Sequence, residues 1–323
     1  MIRTGLIAWL LAKAAPAFAG APELSLPIDC QLGISCFIQQ YVDLDPGNGA
    51  RDFTCGPLSY DKHKGTDIRL AFRRQIKGAG VRVLAAASGT VSALRDEMPD
   101  IAQGDSKAPD VTARECGNGV VLDHGEGWQT QYCHMRLGSI SVVQGQKVKK
   151  GAGLGLVGLS GNTQFPHIHL QVLNGGAVVD PFHPFSATTC GDNTQQLWMP
   201  SLAYVPGGLL AAGFATAALD FDEIRQGPPI LANVRDDAPA LTFWGYFYGL
   251  RAKDVVNISI TMPNGEHLIR QSFAIDRNRA IAYRLTGKKR ILRRWPVGQY
   301  AGTVSLSRGG ILIDTRTVPL IIR

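Results

Sequence analysis

Three of the seven histidines lie in two short motifs whose residue types suit a metal ion. The first motif is His63-Lys-Gly-Thr-Asp67, and the second is His167-Ile-His169, within an alternating apolar run. Residues two apart on a strand point to the same face, so both imidazoles of the second motif can reach one pocket. Zinc accepts ring nitrogens and carboxylate oxygens, and a catalytic site needs three protein ligands. The two motifs therefore offer four candidates.

Each motif alone is weak evidence, because an isolated His-x-His commonly lies on a half-exposed strand and an isolated His/Asp pair at the surface. A third element strengthens the metal hypothesis, since Tyr132-Cys-His134 ends a predicted strand with another histidine. A serine nucleophile is disfavoured. Ser160 in Gly158-Leu-Ser-Gly-Asn162 lacks the last glycine of a serine-hydrolase elbow, so we predict a turn there.

These motifs stand in the order seen in LytM/lysostaphin-type zinc metallopeptidases, which the chain resembles over about residues 61–183. Several spaced motifs in one order are far more specific than any single motif. The matching residues are His63-x-Gly-x-Asp67, Tyr132-x-His134, Gly145-Gln-Lys-Val-Lys-Lys-Gly151, Gly158-x-x-Gly161, His167-x-His169 and Asp180-Pro181.

The resemblance implies a role for each residue of the site. His63, Asp67 and His169 resemble the ligands of one zinc ion per chain. His134 and His167 resemble two unligated catalytic histidines, which orient a zinc-activated water or stabilise the tetrahedral oxyanion. One of them would also pass a proton to the leaving amine. The chain has no His-Glu-x-x-His motif, so the histidine pair must replace the general-base glutamate of thermolysin-like enzymes.

The function implied by the resemblance is that of an exported zinc metalloendopeptidase, which hydrolyses peptide cross-links or stem peptides of peptidoglycan. The alternative is a non-catalytic LytM-like regulator that binds and activates other cell-wall hydrolases. Such degenerate domains typically lack metal ligands, whereas this chain has all of them, which favours the enzyme. A third hypothesis is a peptidase that acts on proteins. The departures Cys133 and Met135 leave every ligand in place and concern substrate preference.

Strand and turn patterns dominate the chain, so the predicted fold class is mainly β. Residues 61–190 are predicted to form an antiparallel β-sheet, the LytM-like peptidase domain. Residues 229–323 show short alternating strands separated by turns, which indicates an immunoglobulin-like β-sandwich domain. Residues 20–60 are predicted to be an irregular, disulfide-tied N-terminal segment, and residues 191–228 a linker.

The sequence leaves two interpretations open for each of two segments, a polar loop and a basic cluster. Residues 96–115 form a polar segment with two prolines, predicted to be a long loop that either borders a substrate groove or is a plain insertion. The basic cluster from Lys288 to Arg294 is either a solvated edge that discourages strand pairing or a contact for the cell wall or an envelope protein partner.

The six cysteines include no Cys-x-x-Cys pair, so disulfides are predicted rather than a thiolate metal site. Cys116 and Cys133 flank a predicted hairpin almost symmetrically, and we expect them to face each other across it. Three connectivities remain open for the other four cysteines, which are Cys30, Cys36, Cys55 and Cys190.

Residues 1–19 are predicted to be a secretory signal peptide, cleaved after Ala19, because Arg3 precedes a short apolar run that ends in Ala17-Phe18-Ala19. The run is too short to span a bilayer comfortably, and no later transmembrane segment is predicted. The protein is therefore expected in the periplasm or outside the cell, without nucleic acid. Loss of Arg3 and Lys13 lowers the net charge from +7 to +5, which suits anionic peptidoglycan, a membrane surface or simply solubility.

Overall fold

A computed structural model describes residues 20–186, 188–191 and 195–323. The predicted signal peptide, residues 1–19, lies outside these residues. Strands make up 43% of the structure and helices 3%, and the sheets are antiparallel almost throughout, which confirms the predicted fold class. In the described ranges, no helix combines the length and the apolar character needed to cross a bilayer.

The first half of the chain contains ten strands and one 3-10 helix, Arg73–Ile76. The strands are β1 (Cys36–Gln40), β2 (Thr66–Leu70), β3 (Arg82–Leu84), β4 (Gly89–Arg95), β5 (Asn118–Gly125), β6 (Trp128–Met135), β7 (Lys147–Val148), β8 (Gly153–Leu156), β9 (His167–Asn174) and β10 (Ala177–Val179). Eight of them form one sheet in the order β1-β2-β9-β6-β5-β4-β7, with β10 paired to β9. The other two, β3 and β8, form a small separate sheet.

Strand alternation explains how the large sheet holds a polar cluster above an apolar core. Ile68 on β2 and Ile168 and Leu170 on β9 are fully buried in the core of the first domain. Successive side chains of a strand point to opposite faces. The intervening residues Asp67 and His169, which are direct partners in the β2–β9 pairing, therefore lie together on the other face.

The disulfides confirm the one predicted pairing and resolve the remaining ones. Cys116 and Cys133 are bonded across the β5–β6 hairpin, with their Cα atoms 4.7 Å apart. Cys30 pairs with Cys36 just before and at the start of β1. Cys55 pairs with Cys190, which ties the N-terminal segment to the end of the first domain.

The segments predicted to be irregular or connecting contain regular elements. The N-terminal segment 20–60 supplies β1, which pairs with β2 at the edge of the large sheet. The predicted linker 191–228 contains β11 (Gly208–Ala215) and the only α-helix in the described residues, α1 (Phe221–Gln226). The strands β1 and β11 are short apolar runs among Gly, Pro and Asp residues. Their partner strands lie about 30 residues away in sequence, so local sequence patterns do not predict them.

The second domain consists of two sheets. Its further strands are β12 (Asn233–Val234), β13 (Ala240–Leu250), β14 (Val255–Thr261), β15 (His267–Ala274), β16 (Arg279–Lys289), β17 (Gly298–Arg308) and β18 (Ile311–Ile322). One sheet has the order β11-β13-β16 and the other β12-β18-β17-β14-β15, and only the β12–β18 pair is parallel. One buried cluster, with members such as Phe243 and Val256 from the two sheets, forms the core. The immunoglobulin-like assignment of this two-sheet domain stays a prediction.

A buried arginine joins the two domains beside the polar cluster. Arg69 lies two residues after Asp67 on β2, is 1% exposed, and donates from Nη2 to the hydroxyl oxygen of Tyr246 on β13 at 3.2 Å. Its guanidinium also lies 4.7 Å from the ring centre of Phe165. Phe37 packs on Tyr248 nearby, with ring centres 5.7 Å apart. The second domain therefore packs directly against the strand that carries the site.

Asp180 is a buried carboxyl group whose charge opposes folding. Its Oδ1 accepts the backbone N–H of Phe182 at 2.9 Å, but Oδ2 has no hydrogen-bond partner among the described residues. Burial raises the pKa of Asp180 from 3.8 to about 7. Between these two pH values the folded protein keeps a proton that the unfolded chain releases, so the contribution to stability falls as pH rises through this range.

We therefore expect Asp180→Asn to flatten the pH dependence of stability. Wild-type protein should lose about 2–3 kcal/mol of unfolding free energy between pH 5 and pH 8 because of this group, and the variant should not. Urea unfolding at both pH values measures the difference. Asp276→Asn, at an exposed site in the second domain, is the control and should behave as wild type. Equal pH dependence in wild type and Asp180→Asn would contradict the assignment.

Candidate metal centre

Three side chains converge on one point at the strand face described above. His63 Nε2 lies 3.1 Å from Asp67 Oδ1 and 3.2 Å from His169 Nδ1, and the last two atoms are 2.9 Å apart. His63 and Asp67 are buried, while His169 is slightly exposed. These are the three residues that the sequence analysis predicts as metal ligands, and the fold brings them together from the loop before β2, from β2 and from β9.

The orientation of His63 is fixed from both sides. Its Nδ1 donates to the backbone carbonyl oxygen of Tyr41 at 2.6 Å, which leaves the Nε2 lone pair directed at the cluster. The Tyr60 ring stacks on the imidazole, with ring centres 4.3 Å apart and planes at 29°. A hydrogen bond from the second ring nitrogen to a carbonyl is the usual way in which proteins orient a ligating histidine.

The two remaining histidines of the motifs lie next to this cluster. The rings of His134 and His167 are 4.6 Å apart between centres. His134 Nδ1 donates to the carbonyl oxygen of Ser160 at 2.8 Å, and His167 Nδ1 donates to that of Phe165 at 3.0 Å. Each ring therefore keeps Nε2 available, and in His167 this atom lies 3.4 Å from Asp67 Oδ1. This is the arrangement expected for a pair that acts beside the metal.

An unusual backbone conformation aims His134 into the site. Its φ is +65°, in the left-handed region that non-glycine residues seldom occupy. Its N–H donates to the carbonyl oxygen of Cys116 at 2.8 Å, and the preceding residue, Cys133, is disulfide-bonded to that same cysteine. Ser160 Oγ donates to the Met135 carbonyl oxygen at 2.7 Å. The disulfide and the turn that contains Ser160 thus hold the strained residue in place.

A glycine makes the close approach of the ligands possible. A Cβ atom on Gly65 would lie 2.6 Å from His169 Nε2 and 2.7 Å from the Leu170 carbonyl oxygen. Any larger residue would displace His169, which explains the glycine in the first motif. The glycine is part of the sequence motif, but the structure is needed to show that it leaves space for His169.

The site holds its groups in unequal charge states. Burial opposes ionisation of Asp67, but the neighbouring His63 and His167 outweigh it and hold the pKa of Asp67 well below its usual range. Burial lowers the pKa of His134 strongly, assisted by His167 and His169, and burial likewise lowers the pKa of His169. Burial acts in the same direction on His63, but the Asp67 carboxylate outweighs it and raises the pKa of His63. A metal ion needs the unprotonated Nε2 of His63, and the raised pKa of His63 means that protons compete with the metal as the pH falls.

The donor set fits a divalent metal ion. Zinc bound by ring nitrogens and carboxylate oxygen has bonds of about 2.0–2.2 Å, which places tetrahedral ligand atoms about 3.3–3.5 Å apart. The three ligand atoms of His63, Asp67 and His169 all lie within 4.8 Å of one another, at separations close to that value. Two imidazoles and one carboxylate leave a fourth position open, as catalytic zinc sites do.

Two cavities flank the cluster. One, of about 470 Å³, is lined by His63 and His169, and the other, of about 340 Å³, by Asp67 and His167. Tyr60, His134 and Asn162 line both.

The sequence analysis did not predict two residues that line both cavities, the aromatic Tyr60 and the amide Asn162. Tyr60 follows an irregular stretch, and Asn162 lies in the turn that the sequence analysis considers only as a possible nucleophile motif. Of the long loop 96–115, Ala113, Arg114 and Glu115 line the larger cavity, so the end of the loop borders this cavity. The remaining histidines of the chain lie outside the group of three ligand residues and its two neighbouring histidines; they are His124, His183 and His267.

Several known proteins are similar to part of this chain. Residues 61–181 match the family described as peptidase family M23. The peptidoglycan DD-endopeptidase ShyA of Vibrio cholerae is 41% identical over 64 residues, which are 20% of this chain and 14% of ShyA. The cell division protein DipM of Caulobacter vibrioides is 30% identical over 105 residues, which are 32% of this chain and 14% of DipM. The chain therefore matches about one seventh of the length of each of these relatives.

Among solved structures, the catalytic domain of lysostaphin from Staphylococcus simulans is 21% identical, with a TM-score of 0.28, and the match covers 44% of this chain and 85% of that one. The catalytic domain of EnpA from Enterococcus faecalis is 21% identical, with a TM-score of 0.33, and the match covers 52% and 99%. The family match, residues 61–181, contains all five motif residues, His63, Asp67, His134, His167 and His169. Over residues 61–181 the chain therefore matches peptidase family M23, and the order of its motifs is similar to that of the LytM type.

Proposed function

We propose that this protein is a zinc metalloendopeptidase that hydrolyses peptide cross-links or stem peptides of peptidoglycan. One observation carries the proposal: three ligand side chains and two further histidines, whose Nδ1 atoms are bound to backbone carbonyls, meet between two cavities. The peptidoglycan DD-endopeptidases ShyA and ShyB, at 41% and 35% identity over short segments, support the choice of substrate. The predicted signal peptide supports a periplasmic or secreted location.

Zinc held by His63, Asp67 and His169 would supply Lewis-acid polarisation of the scissile carbonyl and make water at the site more acidic. His134 is neutral at pH 7 because burial and the neighbouring histidines lower its pKa. With Nδ1–H bound to the Ser160 carbonyl, its Nε2 can accept a proton and later return it to the leaving amine. His167 Nε2 faces the same space, where it can orient water by accepting a hydrogen bond or, as the imidazolium, donate to the developing oxyanion.

The second domain is proposed as an accessory module. It contacts the catalytic sheet through Tyr246 and Arg69, and it presents the exposed basic segment Lys288 to Arg294 on its own surface. A cell-wall or envelope protein partner for this domain remains part of the proposal. Loss of sacculus binding in a variant with Lys288, Lys289 and Arg293 changed to glutamine would support that role.

Digestion of purified sacculi tests the function. After treatment with zinc-loaded protein, sacculi digested with a muramidase should yield fewer cross-linked muropeptides, cut at one type of peptide bond, and mass spectrometry of the products identifies the bond. A chelator should stop this cleavage, and added zinc should restore it. Casein incubated in parallel distinguishes a general protease. Sacculi that stay intact with zinc-loaded, folded protein would refute the enzyme and leave the regulator hypothesis, which an assay of activation of another wall hydrolase addresses.

A further inference from the structure

The two cavities beside the metal position differ sharply in charge. Four cationic side chains line the larger cavity, namely Lys62, Lys64, Arg95 and Arg114, against the single carboxylate of Glu115. Neither lysine nor arginine lines the smaller cavity, where the neutral residues include Gln40, Thr163, Gln164 and Phe165. A groove with one cationic and one neutral side favours a substrate that is itself asymmetric.

The carboxylates near the larger cavity accept hydrogen bonds from backbone N–H groups of the protein. The Glu115 carboxylate accepts the N–H of Ala113 at 3.1 Å. Elsewhere in the same loop, Asp96 accepts the N–H groups of Gly138 and Ile140 at 2.7 and 3.0 Å, and Asp100 accepts those of Leu137 and Leu159 at 3.0 and 2.6 Å. These bonds fix the loop to the turn after β6 and to Leu159, which follows β8. The loop thus carries several acids, yet it presents Arg114 to the cavity.

The cations that line the cavity are weakly neutralised. Lys62 Nζ lies 3.4 Å from Asp61, and Arg114 Nη1 lies 3.4 Å from Glu97. Both partners are exposed, and such pairs hold little energy in water. Lys64 and Arg95 form no ion pair with any residue that the structure describes. The charges remain available to an incoming anion.

We propose that the larger cavity is a subsite for a peptide segment that carries free carboxylates, and that Arg95 and Arg114 select this segment. The smaller cavity takes the neutral segment on the other side of the scissile bond. This inference rests on the proposed function, because it assigns the two sides of a bound peptide. It narrows the substrate class to peptides whose carboxylates lie to one side of the cut.

The test compares one substrate in two charge states. Cross-linked muropeptide dimers are used as isolated and after carbodiimide amidation with ammonia, which converts their carboxylates to neutral amides. Zinc-loaded wild-type protein should show about tenfold lower kcat/KM on the amidated dimers, through KM. High salt should reduce kcat/KM on the acidic dimers only, because it screens the exposed cations.

The variant Arg95→Gln/Arg114→Gln should raise KM on the acidic dimers about tenfold, leave kcat within about twofold, and remove the discrimination against the amidated form. Lys147→Gln/Lys149→Gln changes the net charge equally at exposed positions outside both cavities, and it should behave as wild type. Equal kcat/KM of wild type on both substrates would overturn the proposal. So would an equal loss on both substrates in the Arg95/Arg114 variant.

Failure of the proposed function itself gives a different result. If zinc-loaded wild type cleaves neither dimer, the peptidase hypothesis fails, and calorimetric titration of the same two uncleaved dimers then tests the subsite. The acidic dimer should bind about tenfold more tightly than the amidated dimer, and the Arg95/Arg114 variant should lose that difference. Equal affinities would overturn the subsite as well.

Discussion

Replacement of Asp67 by alanine is expected to remove both the bound zinc and the activity. Asp67 Oδ1 lies within 2.9–3.4 Å of His63 Nε2, His169 Nδ1 and His167 Nε2, so it is the anionic centre of the cluster. Without it, the remaining ligands carry no negative charge to balance a dication. Loss of a ligand should weaken zinc binding by well over the roughly 10–100-fold that loss of a ligand's supporting partner costs. Activity on muropeptide dimers should fall at least about 1000-fold.

Zinc content by elemental analysis and dimer cleavage are measured on the same preparation. Asp276→Ala removes an exposed carboxylate from the second domain and should retain one zinc per chain and full activity. Far-ultraviolet circular dichroism and a urea unfolding curve establish that Asp67→Ala remains folded. A folded Asp67→Ala protein that binds one zinc with wild-type affinity would show that the ligand assignment is wrong.

The parts of the site that follow a local rule could be predicted from sequence. Residues two apart on a strand share a face, which places His167 and His169 on one side of β9. The near-symmetric positions of Cys116 and Cys133 about a hairpin turn predict their disulfide, which the structure contains. In both cases, the required distance is set by a few neighbouring residues and one turn.

The parts of the site and fold that the sequence did not predict depend on contacts between distant segments. The Tyr41 carbonyl that orients His63 lies 22 residues before it, and the Arg69–Tyr246 hydrogen bond joins residues 177 apart. The left-handed backbone of His134 lies at a β-bulge in the pairing of β5 with β6. The residue types around it do not predict this bulge. β1 and β11 become strands because sheet edges accept them. Tertiary pairing, rather than intrinsic propensity, decides such segments.

Replacement of His134 or His167 by alanine is expected to separate catalysis from metal binding. Neither side chain belongs to the group of three whose ligand atoms converge, and both Nδ1 atoms are occupied by backbone carbonyls. Each variant should retain one zinc per chain. A general acid–base group typically contributes about 10²–10⁴-fold, so kcat should fall by that factor while KM changes little. His267→Ala, at an exposed position of the second domain, is the control.

His167 gives this prediction its sharpest form, because its Nε2 lies only 3.4 Å from the ligand oxygen of Asp67. If His167 were a ligand in place of His169, His167→Ala would lose zinc and His169→Ala would keep it; we expect the opposite pattern. The double variant His134→Ala/His167→Ala then tests whether the pair acts as one unit. Groups that move one proton together are strongly non-additive, so the double variant should lose little more than the worse single variant. Multiplicative losses would instead show that the histidines serve two independent steps, such as proton transfer by His134 and oxyanion stabilisation by His167.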